Sequence, residues 1–551
     1  MTNNDLVYSV NAGNDSGMAS ISNDYSFPAL SPLALGTWLQ NRMPNLEVIA
    51  RDGAVRTNEQ IKEEIARLKP GLVGVSVLCT SYQNSLDIAK TARESGAKVV
   101  FGNDQASQTS RLTLEHQPNI DYIIGAEFGE VSLELLVRTI RGEDIPLDKI
   151  PSLTFRTDGK VRGFDFHNPL HRKANAIGHS NSGYAPFFQL VNIGGKSLYS
   201  KNNALDIFPI PNRNLYPLDH WNTYLENYLG KFAEYHLDDR EISELRNEFP
   251  RRLDESHSDF LAYRKKAVEL AKERVVGVTT MNRARGCNRQ GDDMCLHCDL
   301  DTRISRSSAE KFWEEVLEIK DQLAPKIQPG QQISIYECCD SFSSFPGLIR
   351  DIVRAKPSNL GFDPRFYVYA QARDLAEHPE RIDLLKEMGV FRINCGLESM
   401  CDETLKYMKG EKDSVEKNWR FLELCKDAGI KVYSSFVLGS EKETPRTLKE
   451  TVSKVQRAIK GGYLCDAEAQ PVLPLHGNYQ GQVLRSHGLM HGDAQHPDWP
   501  INVEDLSEIY IDGFSGVSHR DCVEAAKTIR NTARQYGINF GSCISREDSY
   551  K

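Results

Sequence analysis

Short apolar runs alternate with helix-length amphipathic segments in two blocks of this 551-residue chain, and that alternation most limits what it can fold into. In the first block, Glu47-Val-Ile-Ala-Arg-Asp52, Gly71-Leu-Val-Gly-Val-Ser-Val-Leu78, Lys98-Val-Val-Phe-Gly102 and Asp121-Tyr-Ile-Ile-Gly125 read as strands. Helical patterns cover 58–68, 81–95 and 131–141. Parallel strands need a crossover of about a dozen residues or more, usually a helix, so the block predicts a doubly wound parallel sheet. Sheets of this kind bind ligands beyond the carboxyl ends of their strands. Those ends are small or polar: Asp52-Gly53, Ser76 to Thr80, Gly102-Asn103-Asp104 and Gly125-Ala126-Glu127. Any one of them suits an ordinary turn, but four in succession form a rim for a large polar ligand.

In the second block, strands are expected at 275–282, 332–337, 366–371, 391–395, 432–438 and 466–473. Helices fall between them at 308–323, 346–355, 379–388, 403–408, 415–428 and 446–458. Six such repeats make a partial (β/α) barrel whose active site lies at the C-terminal strand ends. Between the blocks, 150–163 reads as a hairpin turning at Thr157-Asp-Gly159, and 175–214 as an exposed connection. Residues 219–272 read as an inserted helical segment that can form part of a substrate pocket. Its stripe of Trp221, Tyr224, Leu225, Tyr228 and Leu229 fits core better than a substrate platform. The expected division is 1–145, 146–272, 273–480 and a small, mostly helical 481–551, with helices at 501–511 and 520–536 and with His487, His491 and His496 in loops.

The loop after the 275–282 strand, Arg285-Gly-Cys-Asn-Arg-Gln-Gly-Asp-Asp-Met-Cys-Leu-His-Cys-Asp299, places Cys287, Cys295 and Cys298 within twelve residues. Soft thiolates select zinc, copper(I) or iron–sulfur clusters, and three of them leave a tetrahedral zinc or the fourth iron of a cubane one ligand short. His297 lies between two of the cysteines, which keeps zinc open. The third reading is three unrelated packed cysteines, against which the polar flanks argue. Twelve cysteines with three clustered suit reduced thiols better than a disulfide framework, and Cys338-Cys339 reads as packed. The N-terminus lacks an export signal, no run of about 18 apolar residues occurs, and the net charge of −9 carries no basic stripe. A cytoplasmic protein with no membrane span and no nucleic-acid partner is expected.

Leu30-Ser-Pro-Leu-Ala-Leu-Gly36, Lys69-Pro-Gly-Leu-Val-Gly-Val-Ser76, Val100-Phe-Gly-Asn-Asp-Gln-Ala-Ser107 and Asp121-Tyr-Ile-Ile-Gly-Ala-Glu-Phe-Gly-Glu130 resemble the cobalamin-binding domain of cobalamin-dependent radical S-adenosylmethionine (SAM) enzymes. Residues 270–480 resemble the radical SAM core of the same family. The resemblance lies in Arg285-Gly-Cys287, Cys338-Cys-Asp-Ser-Phe342, Gly396-Leu-Glu-Ser399 followed by Glu403-Thr-Leu-Lys-Tyr-Met-Lys-Gly410, and Phe436-Val-Leu-Gly-Ser-Glu-Lys-Glu-Thr444. The chain departs from the family in three places. Seven residues rather than three separate the first two cysteines, Gly102-Asn103 stands where a Gly-Gly pair is common, and there is no Asp-x-His-x-x-Gly signature.

The resemblance implies an α/β chain: an N-terminal doubly wound Rossmann-like cobalamin-binding domain, a radical SAM partial (β/α)6 barrel and a helical C-terminal region. It implies a [4Fe-4S] cluster on Cys287, Cys295 and Cys298, with SAM chelating the unique iron. Glu337, Asp340, Glu398 and Ser399 would lie against SAM, and Gly439 would let backbone approach its adenine. Ser76, Gly102, Asn103, Gly125 and Glu127 would face cobalamin. The first histidine is His116, so cobalamin is expected without a histidine lower ligand, the alternative being a domain kept only as scaffold. Arg373 would hold a carboxylate or form a surface ion pair. The implied activity is methylation of an unactivated carbon through a 5′-deoxyadenosyl radical and methylcobalamin. The substrate would be a small molecule or peptide, and flavodoxin or ferredoxin the electron donor. A non-methylating cyclase, oxidase or rearrangement enzyme is the alternative, and from another class a zinc-containing binding or scaffold protein.

Overall fold

The computed structural model describes residues 3–15, 26–125, 129–165, 204–249, 257–289, 293–298, 304–490 and 503–536. They fall into two compact units that divide between Tyr224 and Leu225. Among the described residues, no helix is long and apolar enough to cross a membrane.

The first unit is built on a seven-stranded sheet: β1 (Asn3–Asn11), β2 (Glu47–Asp52), β3 (Pro70–Ser76), β4 (Lys98–Gly102), β5 (Tyr122–Ile124), β6 (Leu153–Thr157) and β7 (Lys160–Gly163), in the order β2-β1-β3-β4-β5-β6-β7. The first five strands are parallel, and β6 and β7 join antiparallel. Alternate residues divide between two cores, as the period of two in a strand requires. Val7, Leu72, Val100 and Ile124 pack with the helices Ser31–Arg42 and Gly129–Ile140. Tyr8, Val10, Val73, Val75, Val99 and Phe101 pack on the other face with Ile61, Ile65, Ile88 and Ala92 of Asn58–Leu68 and Tyr82–Glu94.

The helices Asp104–Gln108 and Ser110–His116 are absent from the sequence reading, and two features of the sheet differ from it. An inner strand, β1, goes unrecognised because its mostly apolar run, Leu6 to Val10, is short and flanked by polar residues, and periodicity alone cannot assign such a run. The 153–163 hairpin belongs to this sheet, so the sheet extends beyond residue 145. The positive φ of both Asp158 (50°) and Gly159 (70°) gives the hairpin a tight primed turn that suits strand twist.

The second unit holds six parallel strands: β8 (Val275–Met281), β11 (Gln332–Glu337), β12 (Asp363–Tyr369), β13 (Val390–Glu398), β14 (Lys431–Leu438) and β15 (Asp466–Pro471). Their order is β15-β14-β13-β12-β11-β8, with helices in the connections, which is a partial (β/α)6 barrel. Two short strands, β9 (Ala284–Arg285) and β10 (Ser305–Arg306), pair antiparallel after β8. The helical segment ahead of β8 contributes core. Tyr228 is fully buried and its hydroxyl meets His236 Nε2 at 2.7 Å, while His236 Nδ1 meets Gln332 Oε1 at 2.7 Å. Most of 175–214 lies outside the described residues. The C-terminal helices are Val503–Phe514 and His519–Gln535. The helices Ala372–Glu377 and Tyr479–Ser486 are absent from the sequence reading, and His487 follows the second of them with its Nδ1 at 2.9 Å from the Val483 carbonyl. His491 and His496 lie outside the described residues.

Candidate functional site

The three cysteines lie in the loop that β9 and β10 close at its neck, beyond the carboxyl end of β8. Ser307 N–H donates to the Arg283 carbonyl at 2.8 Å, which tightens the closure. Glu337, the last residue of β11 and fully buried, accepts from the backbone N–H groups of Arg283 at 3.0 and 3.2 Å and of Ala284 at 3.3 Å. Burial pushes its carboxyl well up, nearby Glu315 adds to the shift, and these N–H groups and Arg283 oppose it. The Glu337 oxygens anchor the loop's root. Asp340 keeps an exposed position at the rim, and its Oδ2 accepts from Gly286 N–H at 2.9 Å.

The long cysteine spacing is pinned at both of its described ends. Arg289 is 4% exposed; its Nε donates to Gln371 Oε1 at 2.8 Å, and its guanidinium also reaches the Lys409 carbonyl at 2.8 Å and Asp413 Oδ1 at 2.8 Å. Asp293, two residues ahead of Cys295, pairs with Arg373 at 3.6 Å and with Lys412 at 2.5 Å. Arg373 also lies 3.5 Å from Asp413 and is 8% exposed, so it forms a buried ion pair and not a surface one.

Gln371 follows β12 and is 6% exposed. Its Nε2 lies 3.3 Å from Cys287 Sγ, 2.8 Å from Asn288 Oδ1 and 3.1 Å from Ser341 Oγ. Burial pushes up the thiols of Cys287 and Cys295; Arg289 pulls both back, and Lys409 also acts on Cys295. A metal that binds them must drive off their protons. At the other end of the loop, Leu296 N–H donates to the Met408 carbonyl at 2.9 Å, and its own carbonyl accepts from Tyr479 N–H at 3.0 Å. Cys298 N–H closes a turn on the Cys295 carbonyl at 3.1 Å.

His297 turns toward Glu398 at the end of β13, with Nε2 3.4 Å from Oε1. Burial alone would raise the Glu398 carboxyl, but His297, Lys409 and Arg289 outweigh it and hold it below the usual range. Among the described residues no three His, Cys, Asp or Glu side chains converge as a single metal ion requires. A four-iron cube takes one thiolate per iron corner, so the donor set of Cys287, Cys295 and Cys298 suits it without such convergence.

Two other expected SAM contacts, Ser399 and Gly439, follow β13 and β14. Ser399 is 1% exposed, and its hydroxyl accepts from Cys401 N–H at 3.1 Å and meets Thr451 Oγ1 at 3.0 Å, so it secures the turn after β13. Gly439 has φ +90°, and a Cβ there would meet Ile511 Cδ1 at 2.6 Å and Cys522 Sγ at 3.1 Å. Its bareness admits the C-terminal helices on that side. Cys338 and Cys339 are thiols. Asn282 Nδ2 lies 3.2 Å from Cys338 Sγ, and Cys339 packs under Gly286 with 1% exposure.

In the first unit, the rim carries Ser76, Gly102 and Asn103 together. Asn103 takes φ +77° with ψ 177°, an extended positive-φ conformation that glycine adopts most readily, and its Nδ2 donates to Ser76 Oγ at 3.1 Å. A Cβ on Gly102 would meet only the Ile124 carbonyl, at 3.7 Å, so the protein's own packing does not demand a glycine. Gly125 differs: a Cβ there would strike Phe164 at 2.7 Å, which makes it a packing glycine. Glu127 lies outside the described residues. Arg289, Gln371 and Asp413 are the site residues absent from the sequence reading. Only Arg289 left a signal there, as a cation inside the lengthened spacing.

Residues 281–455 match the family model of the radical SAM superfamily, and residues 34–136 match that of the B12 binding domain. The radical S-adenosylmethionine methyltransferase TsrM from Kitasatospora setae, with cobalamin and a [4Fe-4S] cluster bound, aligns over 89% of this chain and 76% of its own, at 17% identity and a TM-score of 0.56. The cobalamin-dependent S-adenosylmethionine radical enzyme OxsB, with aqua-cobalamin bound, aligns over 97% of this chain and 62% of its own, at 16% identity and a TM-score of 0.54. At these identities the likeness is one of fold. The anaerobic magnesium-protoporphyrin IX monomethyl ester cyclase of Rubrivivax gelatinosus is 29% identical over 84 residues, a match that spans 15% of each chain. This chain joins a B12 binding domain to a radical SAM superfamily domain, the make-up of the cobalamin-dependent radical SAM enzymes.

Proposed function

We propose that this chain is a cobalamin-dependent radical SAM methyltransferase that methylates an unactivated carbon of a small-molecule or peptide substrate. The observation that carries the reading is the presence in one chain of a three-cysteine loop, at the carboxyl end of a barrel strand, and a doubly wound domain with an open rim at Gly102. When bound, the cluster and SAM supply one-electron bond cleavage, and cobalamin supplies a methyl carrier.

The residues divide the remaining work. Cys287, Cys295 and Cys298 would hold the cluster. Glu398, kept ionised beside His297, and Asp340 at the rim would accept hydrogen bonds from the SAM ammonium or ribose. Ser76, Gly102 and Asn103 would receive cobalamin. No histidine occurs before His116, which supports cobalamin without a histidine lower ligand. Flavodoxin or ferredoxin is the proposed electron donor, and thiols at every described cysteine support a reducing, cytoplasmic setting.

Protein purified without oxygen and reconstituted with iron, sulfide and hydroxocobalamin should retain about four irons and about one cobalt per chain. Methyl-labelled SAM should then pass label to the product. Ring closure is a second reading, favoured by the match to the cyclase. It predicts 5′-deoxyadenosine and product without label. Zinc bound in place of iron would overturn both.

A further inference from the structure

We propose that Arg289 and Gln371 raise the reduction potential of the cluster held by Cys287, Cys295 and Cys298, and that the lengthened cysteine spacing serves to bring Arg289 there. The inference rests on the cluster assignment above and goes beyond it by giving the additional loop residues a task.

Gln371 has a fixed amide orientation. Arg289 Nε donates to its Oε1 at 2.8 Å, so Oε1 is the acceptor end and Nε2 the donor end, and Nε2 lies 3.3 Å from Cys287 Sγ. Asn288 Oδ1, 2.8 Å from Nε2, takes one of its two hydrogens and leaves the other for Cys287 Sγ, with the Ser341 and Ser344 hydroxyl oxygens alongside at 3.1 and 3.3 Å. Arg289 is itself immobilised by the Lys409 carbonyl and Asp413. Asp413 is shared with Arg373 at 3.5 Å, so it does not belong to Arg289 alone. Burial keeps solvent from screening the guanidinium.

Reduction adds one negative charge to a cluster. A hydrogen-bond donor on a ligating sulfur and a weakly screened cation beside it both favour the more negative state, so the potential rises. Arg289 has a double part: it supplies the charge and orients the amide.

The test is an electron paramagnetic resonance redox titration of the reconstituted full chain, with iron and sulfide counted for each variant. Gln371→Met keeps the length and removes the donor. At the wild-type midpoint its reduced-to-oxidised ratio should fall about tenfold, equal to about 59 mV for a one-electron couple. Gln371→Glu should fall further, because it adds a negative charge. Arg289→Lys should shift the midpoint less than Arg289→Met. If Gln371→Glu loses iron, Gln371→Met decides. A full cluster in Gln371→Met with an unchanged midpoint overturns the inference while leaving the cluster assignment intact. A wild-type chain without a cluster removes both.

Discussion

Replacing Arg289 by Met removes a cation that ties the lengthened cysteine loop to the barrel from inside. Arg289 and Asp413 are each 4% exposed at the side chain, so the substitution leaves a carboxylate buried without its nearest partner. Breaking a buried pair from one side costs about 3–5 kcal/mol. Arg373, 3.5 Å from the other carboxylate oxygen, retains part of the compensation and places the expected cost near the lower end, about 3 kcal/mol. With about 1.4 kcal/mol per tenfold, that is roughly a hundredfold rise in local opening. Hydrogen exchange read by mass spectrometry, on peptides covering 293–298 and 402–413 of the iron-free chain, measures it without assuming two-state unfolding. Asp413→Asn removes the stranded charge, so the double variant should recover more than half of the loss. Exchange in Arg289→Met within about threefold of the wild type, or strictly additive effects in the double variant, would refute the buried clamp.

Four further outcomes are expected. Gly439→Ala should cost about 2–4 kcal/mol in thermal or denaturant unfolding, since a left-handed φ and a 2.6 Å approach to Ile511 act together. Burial lowers the His236 pKa from 6.5 to about 4, so its contribution is whole above about pH 6.5 and is lost as pH falls toward 4, about 3 kcal/mol in all; melting of His236→Gln should show a flatter acid limb. Asn103→Gly should retain cobalamin, judged by cobalt per chain after desalting, whereas Asn103→Val should lose it because a branched side chain resists φ +77°. Glu337→Gln should keep iron and SAM binding, since an amide oxygen can still accept from Arg283 and Ala284, while Glu398→Gln should keep iron and weaken SAM binding by about tenfold, read by calorimetry.

The barrel strands are legible because buried parallel strands are short apolar runs with helical segments between them, and β11 begins and ends where its pattern predicts. β1 is not, since a run of five residues carries no period that separates strand from helix. The cysteine loop is legible as a ligand set, but its anchoring is not. Gln371 meets Arg289 across 82 residues of sequence, and nothing in the residues around Gln371 marks that contact. Motif matches place Ser399 and Gly439 at strand ends but do not reveal their packing against Cys401 and Ile511, because a motif fixes a position and not the direction in which a side chain, or its absence, points.

Glu337 and Glu398 make the same point in charge. Each ends a strand of one barrel, and each reads in sequence as a carboxylate for SAM. Glu337 meets backbone N–H groups and no cation strong enough to offset burial, so its carboxyl is pushed up and serves the loop's root. Glu398 meets His297, Lys409 and Arg289, which reverse the burial effect and keep a negative charge at the mouth. Two of those three groups, His297 and Arg289, lie on the cysteine loop itself. The loop that supplies the thiolates therefore also sets the ionisation of a carboxylate at the barrel mouth, so a change in the spacing between Cys287 and Cys295 alters the electrostatics of the mouth as well as its shape.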